Sequence, residues 1–242
     1  MQQAADQDDF AVAIGRTLAL RTFTAFAALA VLSLVVGAAG HWFGQTLSEG
    51  GHTSDIAPKR IIIGANMLSV PANAIRFASE RRNGAAQSVH LYVHWPDMEG
   101  YRPDTRDAFN HTADRTDILF LSLRPQTMSR DMSGRLAPVY RALMDPRSRS
   151  GPAGLAFHDL KAEAGYDNEM LVIGPEEEGG RFVARCLTGP LAGQSLAGCE
   201  RDILIGTELS LAYRFHEHLL KDWRALDAAV RAYAARLLDA GR

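Results

Sequence analysis

The side chains with the most chemical promise are eight histidines, one serine in a small-residue run, and two cysteines. His90 and His94 stand four apart, a spacing that would share a metal on a helix. In SVHLYVHW, however, Val89, Leu91, Val93 and Trp95 alternate with His90, Tyr92 and His94, which is a strand pattern. Four strand residues span about 13 Å, beyond any common ligand sphere. His216 and His218 flank Glu217 at a helix start, where i and i+2 point apart. HEHLL is not the HExxH pattern of zinc proteases. Neither a metal nor a cofactor is expected.

GQSLA, residues 193–197, falls one residue short of G-x-S-x-G and makes Ser195 the candidate nucleophile. A nucleophile elbow needs a strand before its serine and a helix after it. Here the serine stands in a small-residue loop with a strand to follow, so a chance match is the plainer reading. There is no Walker loop, no G-x-G-x-x-G and no EF-hand loop.

Cys186 and Cys199, in RCLTGPLAGQSLAGCERD, are spaced to close a disulfide across adjoining strand ends. Such a loop is worth about 3 kcal/mol in the chain-entropy picture, and the bond would persist only in an oxidising compartment. The alternative is two unrelated buried thiols. A long loop, 96–117, is dense in charges of both signs. Long loops beside a sheet often carry binding, which makes Trp95, Tyr101, Arg102 and Phe109 the candidate binding residues. An ordinary solvated loop has the same composition.

The elements that must position these groups begin at the N-terminus. Thr22 to Gly44, TFTAFAALAVLSLVVGAAGHWFG, holds no ionisable group but His41. A helix of that length covers about 34 Å, enough for a hydrocarbon core of about 30 Å. The expected layout is a cytoplasmic tail over 1–21, a transmembrane helix over 22–44, a tether over 45–58 and a soluble α+β domain over 59–242. A cleaved secretion signal is the alternative, with Gly37-Ala38-Ala39 as its small residues. Arg16 and Arg21 precede the apolar run, whereas Lys59 is the first base after it, so the positive-inside bias places the C-terminal domain in the periplasm.

Within that domain, short strands are expected near 60–64, 88–95, 116–124, 154–160, 168–174 and 181–187, then in RDILI and ELSLAYRF. Helices are expected near 72–82 and 131–145, the second kinked or started at Pro138. The clearest helix is 216–240, where Leu219, Trp223, Leu226, Val230, Tyr233 and Leu237 step by four and three. That stripe would lie across the sheet of its own domain, or else pair two subunits as a homodimer seam. Strands grouped together, with helices at the start, middle and end and no βαβ alternation, imply an α+β domain with a mainly antiparallel sheet.

Composition limits function. Hydrophobic residues make up 47 % and charged residues 22 %, with formal net charge -2, so no basic field draws in nucleic acid. At IIIGANMLSVPANAIRF, HLYVHWPDMEGY, MSRDMSGR and FVARCLTGP, the chain resembles a group of bacterial single-pass membrane-anchored proteins. The same holds at CERDI, LSLAYRF and LLKDWRALDAAV. That resemblance implies the anchor-plus-domain layout and carries no assigned activity or site residue. The function expected is a non-enzymatic binding module of the envelope with an envelope protein as partner. An envelope serine hydrolase using Ser195, or an accessory subunit of a membrane complex, are the other readings.

Overall fold

The computed structural model describes residues 21–37, 51–111, 117–161, 163, 165–166, 168–177 and 180–241. The chain divides into two compact units, Met1–Gly50 and Gly51–Arg242. In the first, a helix α1 covers 21–37 with every residue exposed. At 1.5 Å per residue that is about 26 Å, and among the described residues no helix is long and apolar enough to cross a membrane. Residues 38–44 of the expected span, 1–20 of the tail and 45–50 of the tether lie outside the described residues.

The second unit is α+β, as expected, and its centre is an eight-stranded sheet in the order β4-β5-β11-β10-β9-β8-β7-β6. The strands are β4 Val89–His94, β5 Ile118–Pro125, β6 Arg149–Ser150, β7 Ala156–Asp159 and β8 Glu169–Ile173. They continue as β9 Val183–Leu187, β10 Cys199–Ile205 and β11 Leu209–Phe215. Every pair in this sheet is antiparallel. A smaller sheet, β2-β1-β3, is built from β1 Pro58–Ile63, β2 Asn66–Pro71 and β3 Gly84–Ala85.

Strand alternation sorts the large sheet into two faces. Leu91, Leu121, Tyr213 and Arg201 form one cross-strand row of the inner face. Above that face lies helix α5, Trp223–Asp239, entered through a 3-10 turn Glu217–Asp222. Leu219, Trp223, Leu226, Val230, Tyr233 and Leu237 are all buried in the main core with Ile61, Leu68 and Val70 of the small sheet. The helical stripe is therefore packed inside its own domain and is not free to form a homodimer seam. Two tight turns pin the layers together. Asn66 accepts from the Thr207 N–H at 2.9 Å and donates to its carbonyl at 2.7 Å. Gly206 beside it has φ 54°, and a Cβ there would collide with Asn66 Oδ1.

A charged cluster crosses the inner face. Arg201, 1 % exposed, donates to Asp227 Oδ1 of α5 at 3.0 Å, to Ser133 Oγ at 2.9 Å and to the Val183 carbonyl at 2.9 Å. Tyr213 donates to the same Asp227 oxygen at 2.7 Å and Arg231 to the other at 3.0 Å. Burial pushes the Asp227 carboxyl up, but Arg201, Tyr213 and Arg231 together hold it below its ordinary value.

Two expected helices are corrected. In place of one over 72–82 stand two 3-10 turns, Ala72–Ala74 and Ala78–Glu80, directly after strand β2. The segment follows the exposed edge of β4 instead: Ile75 bridges Leu91, and the Arg76 N–H donates to the His90 carbonyl at 2.8 Å. Helical hydrogen bonds are thus replaced by ones that close a sheet edge. The helix over 131–145 shrinks to a π turn Leu136–Tyr140 followed by α3, Arg141–Leu143. Pro138 sits inside the π turn, and a proline has no N–H to give a regular α-helical ladder. The loop after β4 also carries a 3-10 turn Pro103–Thr105 and a single helical turn α2, Arg106–Phe109.

Candidate functional site

The outer face of the sheet is covered at both ends and open between them. At the β4–β5 end, Tyr92 and Ile118 pack with Tyr101 and Phe109. At the β8–β9 end, Leu171, Ile173 and Val183 pack with Met132, Leu136 and Tyr140. Between these patches lies a groove of about 640 Å³.

Two cross-strand rows make its floor. One runs His90–Ser122–Ala212 and the next Phe120–Arg214–Glu200. Ser122 and Ala212 are small, which makes the depression, and Phe120 supplies a flat apolar surface beside it. The β4 wall carries Arg76, whose guanidinium lies 4.8 Å from the Phe120 ring centre and 5.1 Å from that of Phe77. The opposite wall is the segment Gln194–Ala197 after helix α4, Gly189–Gln194.

The rim is basic. Arg76, Arg124 and Arg214 are exposed and line the groove, against a single carboxylate among the described residues, Glu200. Glu200 stands 4.0 Å from both Arg214 and Arg185, and Arg185 is itself 3.0 Å from Glu169. Arg214 also donates to the Ala197 carbonyl at 3.2 Å. Among the described residues neither Arg76 nor Arg124 has a carboxylate within 4.0 Å. The charge exposed here is net positive on a chain whose formal charge is -2.

Ser195 lies in this groove wall, directly after α4 and ahead of β10. Helix, serine, strand is the reverse of the order in a nucleophile elbow. Its Oγ accepts from the Ala197 N–H at 3.4 Å, a turn contact. His90 lines the same groove and is held by Glu80, whose two oxygens meet its N–H at 2.8 Å and its Nδ1 at 2.7 Å.

The other expected binding residues lie elsewhere. Tyr101 is 2 % and Phe109 3 % exposed, and their rings pack with Tyr92 and His52 in a small satellite core. Such rings cannot anchor a partner while they stay packed. Trp95 is half-buried against the main core. Arg102 is exposed but engaged by Asp104 and Glu99, which raise its pKa, and the Arg102 guanidinium in turn lowers that of Asp104. The histidine pairs are separated as strand geometry requires: His94 meets Asp97 at 3.2 Å, far along β4 from the His90–Glu80 pair. His216 and His218 do meet, with 2.8 Å between their Nδ1 atoms, and His218 Nε2 is 2.8 Å from Asp117.

Cys186 and Cys199 are bonded, as register partners of β9 and β10 with Cα atoms 4.0 Å apart. Arg76, Phe120, Arg124, Ala212 and Arg214 are groove residues that sequence reasoning passed over. For Arg214 a signal existed in LSLAYRF, where alternation turns Ala212 and Arg214 to one side. For Phe120 it was masked, because TDILFLSLR reads as a strand buried on both faces.

No protein-family model matches the chain, and no curated protein matches it. Among solved structures it is similar to an immunity protein of the Stenotrophomonas maltophilia type IV secretion system. That match is 17 % identical over 77 % of this chain and 95 % of the other, with a TM-score of 0.48. It is also similar to an iron-regulated outer membrane lipoprotein of Neisseria meningitidis, 10 % identical over 78 % of this chain and 95 % of the other, with a TM-score of 0.42. Likenesses this distant assign no residue and no activity here.

Proposed function

We propose that the chain is a non-enzymatic binding module of the bacterial envelope, and that the groove on the outer sheet face receives its partner. The observation that carries this reading is the open strip between two covered ends of one sheet face. It is rimmed by arginines, two of which lack a carboxylate partner among the described residues. Arginine and aromatic surface around a small-residue depression is the composition of recognition surfaces. In the same proposal, residues 22–44 anchor the chain in the inner membrane with its N-terminus cytoplasmic, and 59–242 lie in the periplasm. The Cys186–Cys199 bond supports an oxidising compartment. Protease access to a C-terminally tagged chain in spheroplasts tests the layout: digestion from outside is expected, and protection reverses the topology. Crosslinking in intact cells tests the module, with a discrete envelope adduct expected that is lost on Ala212→Trp, which fills the groove.

An envelope serine hydrolase is the second reading, and one observation favours it. Ser195 and His90 line the same groove, with Glu80 on the histidine. A serine-reactive phosphonate separates the two. Labelling that is lost in both Ser195→Ala and His90→Ala would establish the hydrolase. Labelling that is absent, or equal in wild type and Ser195→Ala, would dismiss it.

A further inference from the structure

The geometry points to an extended, acidic segment of a protein partner as the occupant of the groove. This rests on the binding-module reading and goes further by assigning the ligand chemistry. Four observations converge on it.

The first is charge. Among the described residues three exposed arginines face one carboxylate, and that carboxylate is already shared between Arg214 and Arg185. An anionic ligand would replace water around cations held in place by stacking and by the sheet. Arginine presents a planar fork that fits a carboxylate with two parallel hydrogen bonds.

The second is spacing. Arg76 lies over Phe120, and Arg214 is the cross-strand partner of Phe120, so both cations flank one row. Arg124 is four residues further along β5, and with the side-chain repeat of a strand this is about 13 Å. The Ser122–Ala212 row stands midway. An extended peptide laid along β5 has the same repeat. Acidic side chains at its positions i and i+4 would reach the two cationic ends, and the side chain at i+2 would enter the depression.

The third is the apolar surface beside the cations. Phe77 is 43 % and Leu196 41 % exposed; Leu196 lines the groove, and Phe77 stands edge-on to His90, which lines it too. A free inorganic anion would leave these uncovered, whereas a peptide's side chains would cover them. The fourth is the closed sheet edge. On β4, Ile75, the Glu80 carboxylate and Glu99 already take the backbone groups at Leu91, His90 and His94. Recognition must then come through side chains over the face of the sheet, not through strand addition.

The probe is a blocked peptide Glu-Thr-Leu-Thr-Glu, fluorescently labelled, added to the full chain in detergent, beside Gln-Thr-Leu-Thr-Gln and Lys-Thr-Leu-Thr-Lys. The expected result is binding of the glutamate peptide alone, weakening with salt. Arg124→Glu and Arg214→Glu should each weaken it by about tenfold or more, and Ala212→Trp should abolish it. The double charge reversal should then accept the lysine peptide, a gain that loss of folding cannot produce. Equal binding of the glutamate and glutamine peptides would overturn the inference. So would phosphatidylglycerol vesicles that bind through the same arginines while the peptide does not, because the ligand would then be a lipid headgroup. In cells, adducts that survive the double reversal but vanish in Ala212→Trp would keep the groove and overturn the acidic partner. Adducts indifferent to both would overturn the binding site itself.

Discussion

The two faces of the eight-stranded sheet both carry arginine, and they treat it in opposite ways. On the inner face Arg201 is buried and donates to Asp227, Ser133 and Val183, while Asp227 also takes Tyr213 and Arg231. On the outer face Arg124 and Arg76 are exposed with no carboxylate in reach among the described residues, and Arg214 meets Glu200 only at 4.0 Å. A buried charge must have its partners inside the fold, because desolvation is costly and water cannot substitute. An exposed charge costs the fold little and remains available to a partner from outside. The inner cluster therefore holds α5 to the sheet, and the outer arginines are where recognition can occur.

Breaking the inner cluster should have the largest effect. Arg201→Ala leaves Asp227 buried among polar groups without its main cation. It should lower unfolding free energy by about 3–5 kcal/mol in urea titration. Next comes the covalent link between β9 and β10. Cys186→Ala with Cys199→Ala should cost about 3 kcal/mol, an effect matched by reductant on the wild type and absent from the double variant. On the outer face, Arg124→Ala and Arg214→Ala should change stability by no more than about 0.5 kcal/mol. A large loss there would mean the groove arginines are structural, and the contrast between the faces would fail.

A pH scan sharpens the comparison at the sheet's end. The His218 N–H donates to His216 Nδ1 at 3.3 Å, which caps the turn leading into α5 and requires that nitrogen to be unprotonated. Burial, with His218 beside it, lowers the His216 pKa below 6.5. The folded state then binds fewer protons than the unfolded chain as pH falls below that value. Stability should be full above about pH 6.5 and decline below it through the depressed folded value. His216→Asn keeps a capping oxygen and should flatten that slope in pH-dependent denaturation. The smallest effect is expected at Tyr233, whose hydroxyl is buried with no hydrogen-bond partner among the described residues. Tyr233→Phe should be neutral or raise the melting temperature slightly, because nothing is lost but a desolvated oxygen.

How much of this could be read from the chain differs by element. The C-terminal helix and its stripe were legible because six apolar residues at helical spacing leave few other solutions. The disulfide was legible for a similar reason, since two cysteines thirteen apart bracket one segment containing Gly and Pro. Residues 66–80 were not, because Pro71-Ala-Asn looks like a helix entry only until one knows that β4 has an edge to close. That edge is a tertiary fact. The binding residues fared similarly. Tyr101 and Phe109 stood out as aromatics in a charged loop, yet the loop folds back and buries them on Tyr92. The groove instead collects Arg76, Phe120, Arg124 and Arg214 from three distant segments, which only strand pairing brings together. Ser195 falls short of the nucleophile motif in sequence and in local structure, yet it lies in the groove wall.

The most direct measurement places a photo-crosslinking residue at Ser122 in the groove floor, and in a second strain at Arg149 on the far edge strand. Irradiating intact cells should then yield a discrete envelope-protein adduct from the Ser122 position alone, and Ala212→Trp should remove it. Adducts identical from both positions, or none from the groove, would contradict a partner-binding role for this face of the sheet.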